Sequence, residues 1–249
     1  MKKITVLFWI LATLTTTAQK QEDLFSIKEK TFRMALKYND LQVAKQAVFE
    51  MMVLKPEMKS LKDSLNIIYF NLGNHRENVM LSNELLEDSK SPSYSTNLEI
   101  RAISYQNLGM IKESLQDYEK LHGLSKSIYH LYQIAALQYE LKRFGECDLS
   151  ISKILQSEEA ATASITMPID NRNQQKVLIK AAAFNMRGVL AMETNNLEQA
   201  KKSFNEAIAL EKDFVLAKNN LEIIEKKNAE SKKTTESKPE PSKKSSVQK

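Results

Sequence analysis

The stretch at residues 183–210, AFNMRGVLAMETNNLEQAKKSFNEAIAL, decides the fold. Phe184, Gly188 and Ala191 are four and three residues apart, so they share one face of a helix. Two asparagines at 195 and 196 interrupt the pattern, and a second apolar stripe then follows. That stripe consists of Leu197, Ala200, Phe204, Ala207 and Ile208. The two stripes predict a helical hairpin, which cannot bury its apolar faces alone.

Small residues mark the place where the two helices meet. Gly188 is expected to face Ala200 and Ala207, so that the helix axes approach closely and Phe204 fills the neighbouring space. On this reasoning Gly188 tolerates Ala but not Leu. The stretch resembles a tetratricopeptide repeat (TPR), whose pattern runs aromatic, Leu-Gly, Tyr, Ala, aromatic and a closing Pro. Phe184, Gly188, Ala200 and Phe204 match that pattern, whereas Arg187, Ala191 and Lys212 replace its Leu, Tyr and Pro.

The same pattern returns along the chain, near residues 25–58, 59–92, 95–127 and 128–161, with 181–214 as the fifth unit. The matching residues include Ala44, Val48, Met51 and Pro56; Tyr69, Gly73 and Asn78; Ala102, Tyr105, Gly109, Ser114 and Tyr118; and Ala135, Phe144, Cys147 and Ile151. The unit starts are 34, 36, 33 and 53 residues apart, and the first three spacings are near the family period. The resemblance implies an all-α, right-handed superhelical solenoid of TPR-like helical hairpins over residues 19–227.

The last spacing contains an insertion at residues 157–180. Its turn residues predict a surface loop followed by an extended first helix of the fifth unit. An alternative is that residues 165–169 lie in the groove as a lid or internal ligand. Residues 214–227 predict a capping helix. Residues 228–249 are rich in Lys, Ser, Glu and Pro without apolar periodicity, so they predict a disordered, solvated tail.

The amino terminus predicts a secretory signal at residues 1–18. Lys2 and Lys3 precede an apolar run at 4–14, and small residues precede Gln19. The run is shorter than the roughly 20 residues that span a bilayer. The protein is therefore expected to be exported in a bacterium, periplasmic or secreted, with no stable membrane anchor after signal cleavage. An uncleaved anchor is the alternative.

Charge argues against a nucleic-acid partner. The formal net charge is +5. Residues 226–249 account for +5 and Lys2 with Lys3 for +2, so the remaining chain carries −2. A nearly neutral body gives little electrostatic attraction to phosphate backbones.

The sequence shows no pattern of catalytic or metal-binding residues. His75, His122 and His130 do not have metal-ligand spacing, and no phosphate loop or nucleophile motif appears. The single cysteine, Cys147, stands at a small packing position. We therefore expect no enzyme activity, no catalytic residue, no metal and no cofactor.

The resemblance implies that the first helix of each hairpin lines a concave groove that binds a protein or peptide. The candidate partner-binding residues are Arg33, Lys37, Phe70, Asn71, Gln106, Asn107, Tyr129, Tyr132, Tyr139 and Asn185. The three tyrosines share one helix face, which is typical of an interface, and truncation of Tyr132 is expected to weaken partner binding. The alternative is that these tyrosines pack between repeats.

The functional interpretation is a non-enzymatic protein–protein interaction scaffold or adaptor of the bacterial cell envelope, which binds a peptide or helix in the groove. One alternative is a structural envelope protein associated with the cell wall or a polysaccharide. Another is an enzyme whose site is formed by the insertion at 157–180.

Overall fold

The computed structural model describes the backbone of residues 2–236 and the side chains of residues 19–226. The side chains of the predicted signal at 1–18 lie outside the described residues, as does the predicted tail from residue 237 onward. Among the described residues, no helix combines the length and the apolar character needed to cross a membrane.

The described chain is helical apart from one small sheet, which confirms the all-α prediction. The helices are α1 Lys2–Lys37, α2 Leu41–Leu54, α3 Lys59–Asn71, α4 His75–Leu85, α5 Tyr94–Asn107, α6 Ile111–Ser125, α7 Ile128–Glu140, α8 Phe144–Gln156, α9 Ile179–Glu193, α10 Leu197–Leu210 and α11 Val215–Glu236. The strands are β1 Ser164–Pro168 and β2 Gln174–Leu178, and a short 3₁₀ turn at Glu159–Ala161 precedes them.

The same three-residue turn joins the two helices of each hairpin. Its middle residue has a positive φ in all five cases: Asn39 at 56°, Gly73 at 70°, Gly109 at 72°, Lys142 at 59° and Asn195 at 56°. The next amide then bonds a carbonyl five residues back, as Asn196 N does with Ala191 O at 2.9 Å. This bond satisfies a carbonyl at the end of the first helix. The third turn residue also starts the next helix, because Asn196 accepts from Gln199 N at 3.2 Å and Asp40 from Val43 N at 3.1 Å.

The chain forms two compact units, residues 1–124 and 125–249. In the first unit, an apolar core joins α1, α2 and α3 through Phe25, Val48, Met51, Leu65 and Ile68. This core follows from the helical spacing of apolar residues, since burial of such stripes drives hairpin stacking.

A buried polar network continues the interior of the first unit between α3, α4 and α5. Asn66 and Asn78 are fully buried. The Asn66 amide donates to Ser82 Oγ and to Asn97 Oδ1, both at 2.9 Å, and Asn78 Nδ2 donates to Asn66 Oδ1 at 2.8 Å. Ser104 Oγ donates to Asn78 Oδ1 at 2.7 Å. Buried polar groups are tolerated when they are paired in this way.

An ion pair joins α5 to α6 in the same unit. The Arg101 guanidinium binds both Asp117 oxygens, at 2.8 and 2.7 Å, and the Asp117 side chain is only 3% exposed. Arg101 also donates to Asn83 Oδ1 at 2.7 Å, so one guanidinium connects α4, α5 and α6. Breaking a buried pair of this kind leaves an uncompensated charge.

In the second unit, α7 to α11 surround a core that includes Ile151, Ile154, Ile179 and Phe214. Phe204 and Ile224 form a second cluster, which joins α10 to α11. Helix α11 extends to Glu236, past the end at residue 227 that the sequence predicted, so part of the segment expected to be disordered is helical.

The insertion differs from the predicted loop and extended helix. β1 and β2 form an antiparallel hairpin that pairs Ser164 with Leu178 and Pro168 with Gln174. The predicted helical extension at residues 174–178 is a strand, because Gln175 and Val177 face inward while Gln174 and Lys176 are exposed. At the turn, Asp170 Oδ1 accepts from Arg172 N at 2.7 Å and from Asn173 N at 2.8 Å. A hydrogen bond from the Asn173 side chain to the Asp170 carboxylate, together with these two backbone bonds, lowers the pKa of Asp170.

An added methyl group at Gly188 would meet the Phe204 ring first, which corrects the expected tolerance of Ala. A methyl group at Gly188 would lie 2.6 Å from Cδ1 and 2.7 Å from Cζ of the Phe204 ring. The ring is fully buried, and a closely packed interior resists its displacement.

Gly188→Ala is therefore expected to lower the free energy of unfolding by about 1–3 kcal/mol, because overpacking outweighs the roughly 1 kcal/mol gain in helix propensity. Gly145→Ala is the control, since a methyl group there meets no atom within 4 Å. Thermal and urea unfolding measure both variants. Equal stability of Gly188→Ala and the parent would contradict the observed register of α9 against α10.

Candidate functional site

The first helices of the hairpins in the first unit, α1, α3 and α5, carry exposed apolar side chains among polar ones. We call this surface the first-helix face; it consists of Arg33, Leu36, Lys37, Ile67, Phe70, Asn71, Ile103, Gln106 and Asn107. Leu36 is 44% exposed and Ile67 is 43% exposed, and Ile103 is partly exposed. Exposed aliphatic groups bordered by amides and cations suit contact with a peptide.

The polar members of this face are held mainly by local contacts. Arg33 Nη2 lies 2.7 Å from Glu29 Oε1 one turn earlier, and Lys37 Nζ lies 5.7 Å from the centre of the Tyr38 ring. Asn107 Nδ2 donates to Ile103 O at 2.9 Å. The cations are thus solvent-exposed and weakly held, which leaves them available for a partner at little cost.

Phe70 and Asn71 lie at the carboxyl end of α3. The Phe70 ring meets the His75 ring edge to face at 6.3 Å between centroids, and Asn71 is exposed. His75 Nδ1 in turn lies 3.2 Å from Ser104 Oγ, so the buried polar network supports this aromatic pair. The candidate residues of the second unit, Tyr129, Tyr132, Tyr139 and Asn185, are buried or half-buried.

Tyr132 is buried, which corrects its assignment as an accessible anchor. It is 5% exposed, and its hydroxyl donates to Met167 Sδ in β1 at 3.9 Å. Burial raises the pKa of Tyr132 well above its ordinary value. The alternative that the tyrosines pack within the array therefore describes Tyr132 better.

Tyr139 and Tyr129 are half-buried against the same core. Tyr139 donates to Glu193 Oε1 at 2.8 Å and so joins α7 to α9. Burial, together with that carboxylate, raises the pKa of Tyr139 to about 12. Tyr129 meets the ring of His130 edge to face at 5.6 Å. The rings thus support the helices and leave only part of their surface for a partner.

Asn185 is also buried, at 7% exposure, and its side-chain Oδ1 accepts from Asn220 Nδ2 at 3.0 Å. This bond attaches α11 to α9. The prediction that Asn185 offers a hydrogen bond to a partner in the groove is corrected accordingly.

The β-hairpin lies against the first helices of the second unit. Ile165 and Val177 are buried in the core with α9, and Met167 contacts Tyr132 of α7. Gln175 attaches β2 to the connection between α10 and α11, because its side-chain amide donates to Asp213 O at 2.7 Å and accepts from Val215 N at 3.0 Å. Ile165 and Met167 of β1 therefore contact first helices of the second unit, and β1 ends at Pro168.

A cleft of about 510 Å³ opens between α8, α9 and α10 in the second unit. Arg187 lines it, donating to Ser152 Oγ at 2.7 Å and lying 3.6 Å from Asp148 Oδ1. Arg187 replaces the Leu of the repeat pattern, so this polar contact takes the place of an apolar one. The guanidinium is already paired, and the cleft offers no further charge to an anion.

Within the described residues, no group of three His, Cys, Asp or Glu side chains could hold a metal ion. Cys147 is fully buried, and burial raises the pKa of its thiol to about 11, with a further contribution from Asp148. A buried neutral thiol is a poor nucleophile.

Sequence reasoning missed two kinds of residue. The resemblance placed the exposed Leu36 and Ile67 at groove positions of the first helices, but the candidate partner-binding residues on this face were its polar members and Phe70. Sequence reasoning also missed Gln175, whose alternation with Val177 was the only local signal of a strand.

Comparison with known proteins supports the fold. Residues 181–214 match the tetratricopeptide repeat family. The crystal structure of a tetratricopeptide repeat protein from Parabacteroides merdae ATCC 43184 is similar over 87% of this chain and 81% of that one, with 21% identity and a TM-score of 0.63. YrrB, described as a TPR protein with an unusual peptide-binding site, is 14% identical over 76% of this chain and 87% of its own, with a TM-score of 0.58.

PilW, described as a widely conserved type IV pilus biogenesis factor, is 10% identical over 79% of this chain and 82% of its own, with a TM-score of 0.55. The sequence matches none of the curated proteins with which it was compared. At these identities the likeness establishes the fold, which is that of TPR-like helical hairpins.

Tyr132→Ala is expected to act on stability, lowering the free energy of unfolding by about 3–5 kcal/mol, because it removes a buried ring beneath β1. Tyr129→Ala, at a half-buried ring of the same helix, is expected to cost less. Urea unfolding followed by circular dichroism compares the two variants. A Tyr132→Ala protein as stable as the parent would show that the hairpin does not depend on this ring.

Proposed function

We propose that this protein is a non-enzymatic protein–protein interaction scaffold of the bacterial cell envelope, which binds a peptide or helix of a partner on its first-helix face. The array of TPR-like hairpins supports a binding role, since stacked repeats present an extended surface and the fold alone does not supply chemistry. The first-helix face supplies the specific surface.

One observation carries this proposal: Leu36 and Ile67 are exposed on the consecutive first helices α1 and α3, which also carry the exposed Lys37 and Asn71. Burying these aliphatic groups against a partner would release water, at roughly 25 cal/mol per Å² of apolar surface. The neighbouring amides and cations would pair with the backbone and acidic groups of the partner. The YrrB description, a TPR protein with a peptide-binding site, is consistent with a peptide ligand.

The envelope location is the second part of the proposal, and it rests on the sequence of residues 1–18. The two lysines, the short apolar run and the small residues before Gln19 are the parts of a cleaved signal. Export would place the partner among envelope or secreted proteins.

The location predicts that the mature chain begins at or near Gln19. Intact-mass measurement on envelope fractions of the producing bacterium checks this, with the cytoplasmic fraction as the control. Recovery of the full-length chain, or of the protein in the cytoplasm only, would contradict the location.

The binding surface is tested by a photo-crosslinking amino acid placed at residue 67 in intact cells. We expect discrete crosslinked proteins from residue 67. Ile67→Ala should then weaken the binding of the purified partner by about tenfold, or 1–2 kcal/mol, because it truncates an apolar anchor. Calorimetry measures the affinity.

Val53 provides the matched control, because it is an equally apolar, 81% exposed residue on the second helix α2. Val53→Ala should leave the affinity unchanged, and residue 53 should give a different crosslinking pattern. Identical results at both positions would exclude the first-helix face. Sedimentation with purified cell wall after washing in salt, without a crosslinked protein, would favour the wall-associated alternative.

A further inference from the structure

The β-hairpin has two edges, and their hydrogen-bonding groups follow from its register. Ile169 N bonds Asn173 O and Ile179 N bonds Ala163 O, both at 2.9 Å. Bonded pairs alternate with non-bonded pairs in an antiparallel ladder, so 165–177 and 167–175 are bonded pairs. The backbone groups of Ser164, Thr166 and Pro168 therefore point away from β2, along the outer edge of β1.

The corresponding edge of β2 already has a protein partner. Leu178 N donates to Glu211 Oε1 at 3.1 Å, at the end of α10. Gln175 adds its two bonds to the connection between α10 and α11, at Asp213 and Val215. The hairpin is thus fixed to the helices on its β2 side.

The outer edge of β1 differs. Ser164 and Thr166 are exposed, and within the part of the chain that the structure describes their amides have no backbone partner outside the hairpin. The inner face of the strand is nevertheless fixed, because Ile165 is buried and Met167 rests on Tyr132. An exposed, rigidly supported row of backbone donors and acceptors is a template for another strand.

We propose that the outer edge of β1 binds an extended peptide segment of a partner by strand addition. An antiparallel segment exchanges two hydrogen bonds with Ser164 and two with Thr166, and Pro168, which has no N–H, ends the donor row. The site lies on the second unit, so it is additional to the first-helix face and goes beyond the proposed function.

The pleat specifies the side chains of this segment. Residues opposite Ser164 and Thr166 face outward with them, into solvent, whereas the residue between them faces inward with Ile165. The expected ligand therefore has alternating polar and apolar residues, with an inward apolar residue and no proline at the bonded positions.

The test starts with a library of random dodecapeptides displayed on phage and selected on the purified protein. The tightest selected peptide is synthesised and its affinity measured for the parent and two variants. Thr166→Pro removes an outward amide of β1, and Lys176→Pro removes the outward amide of its cross-strand partner in β2. Neither amide belongs to the β1–β2 ladder, so neither substitution removes a hydrogen bond between the two strands.

We expect at least a tenfold loss of affinity for Thr166→Pro and less than a threefold change for Lys176→Pro. Hydrogen exchange on the unsubstituted protein gives a second measurement, independent of how the variants fold. The peptide should slow exchange of the Ser164 and Thr166 amides.

Four results would overturn the proposal: no selected peptide, binding without protection of these amides, equal affinities of the two variants, or edge-to-edge dimers of the protein itself in sedimentation. Ile67→Ala separates the two sites, because it should leave this peptide binding unchanged.

Discussion

The hairpins depend on one backbone constraint, the left-handed residue at the centre of each three-residue turn. At Lys142 and the asparagines this conformation costs about 1–2 kcal/mol, and the glycines adopt it freely. The amide that follows satisfies a carbonyl of the finished helix, while the same residue starts the next helix. The turn therefore sets where the second helix begins, and the close packing of Phe204 on Gly188 requires that start to be fixed.

Two hairpins fill equivalent positions between their helices with different chemistry. Around Phe204 the helices meet through shape, and a single methyl group would not fit. Between α3 and α4 the corresponding positions are amides and hydroxyls that bond one another, centred on Asn66, which also donates to Asn97 of α5. A network in which each member needs the others specifies one arrangement of helices, because any slip leaves buried groups unpaired. Among the buried side-chain polar atoms described, only Ser114 Oγ lacks a partner.

Much of the helical architecture could be predicted because its signals are local. Apolar spacing predicted the stripes, and the asparagines at 195 and 196 predicted the turn of the fifth unit. The β-hairpin could not be predicted from the sequence. Two inward-facing residues per strand are too few to distinguish a strand from a helix, and the pairing of the strands is non-local. The prediction that Tyr132 is accessible to a partner was wrong for a related reason. Helical spacing shows that three tyrosines share a face, but it cannot show that Met167, 35 residues later in the chain, covers Tyr132. The repeat pattern could predict which positions on the first helices belong to the candidate site. It could not predict that Ile67 is exposed, because exposure depends on how the helices pack.

The burial of Cys147 has a practical consequence. It is the only cysteine of the chain and lies in the core of the second unit, so its thiol becomes reactive when that region opens. The rate of labelling would then report the opening equilibrium of the second unit, while the first, which has no cysteine, contributes no signal. The protein thus carries a natural reporter of regional stability. Because residues 1–249 contain a single cysteine, no disulfide can form within them.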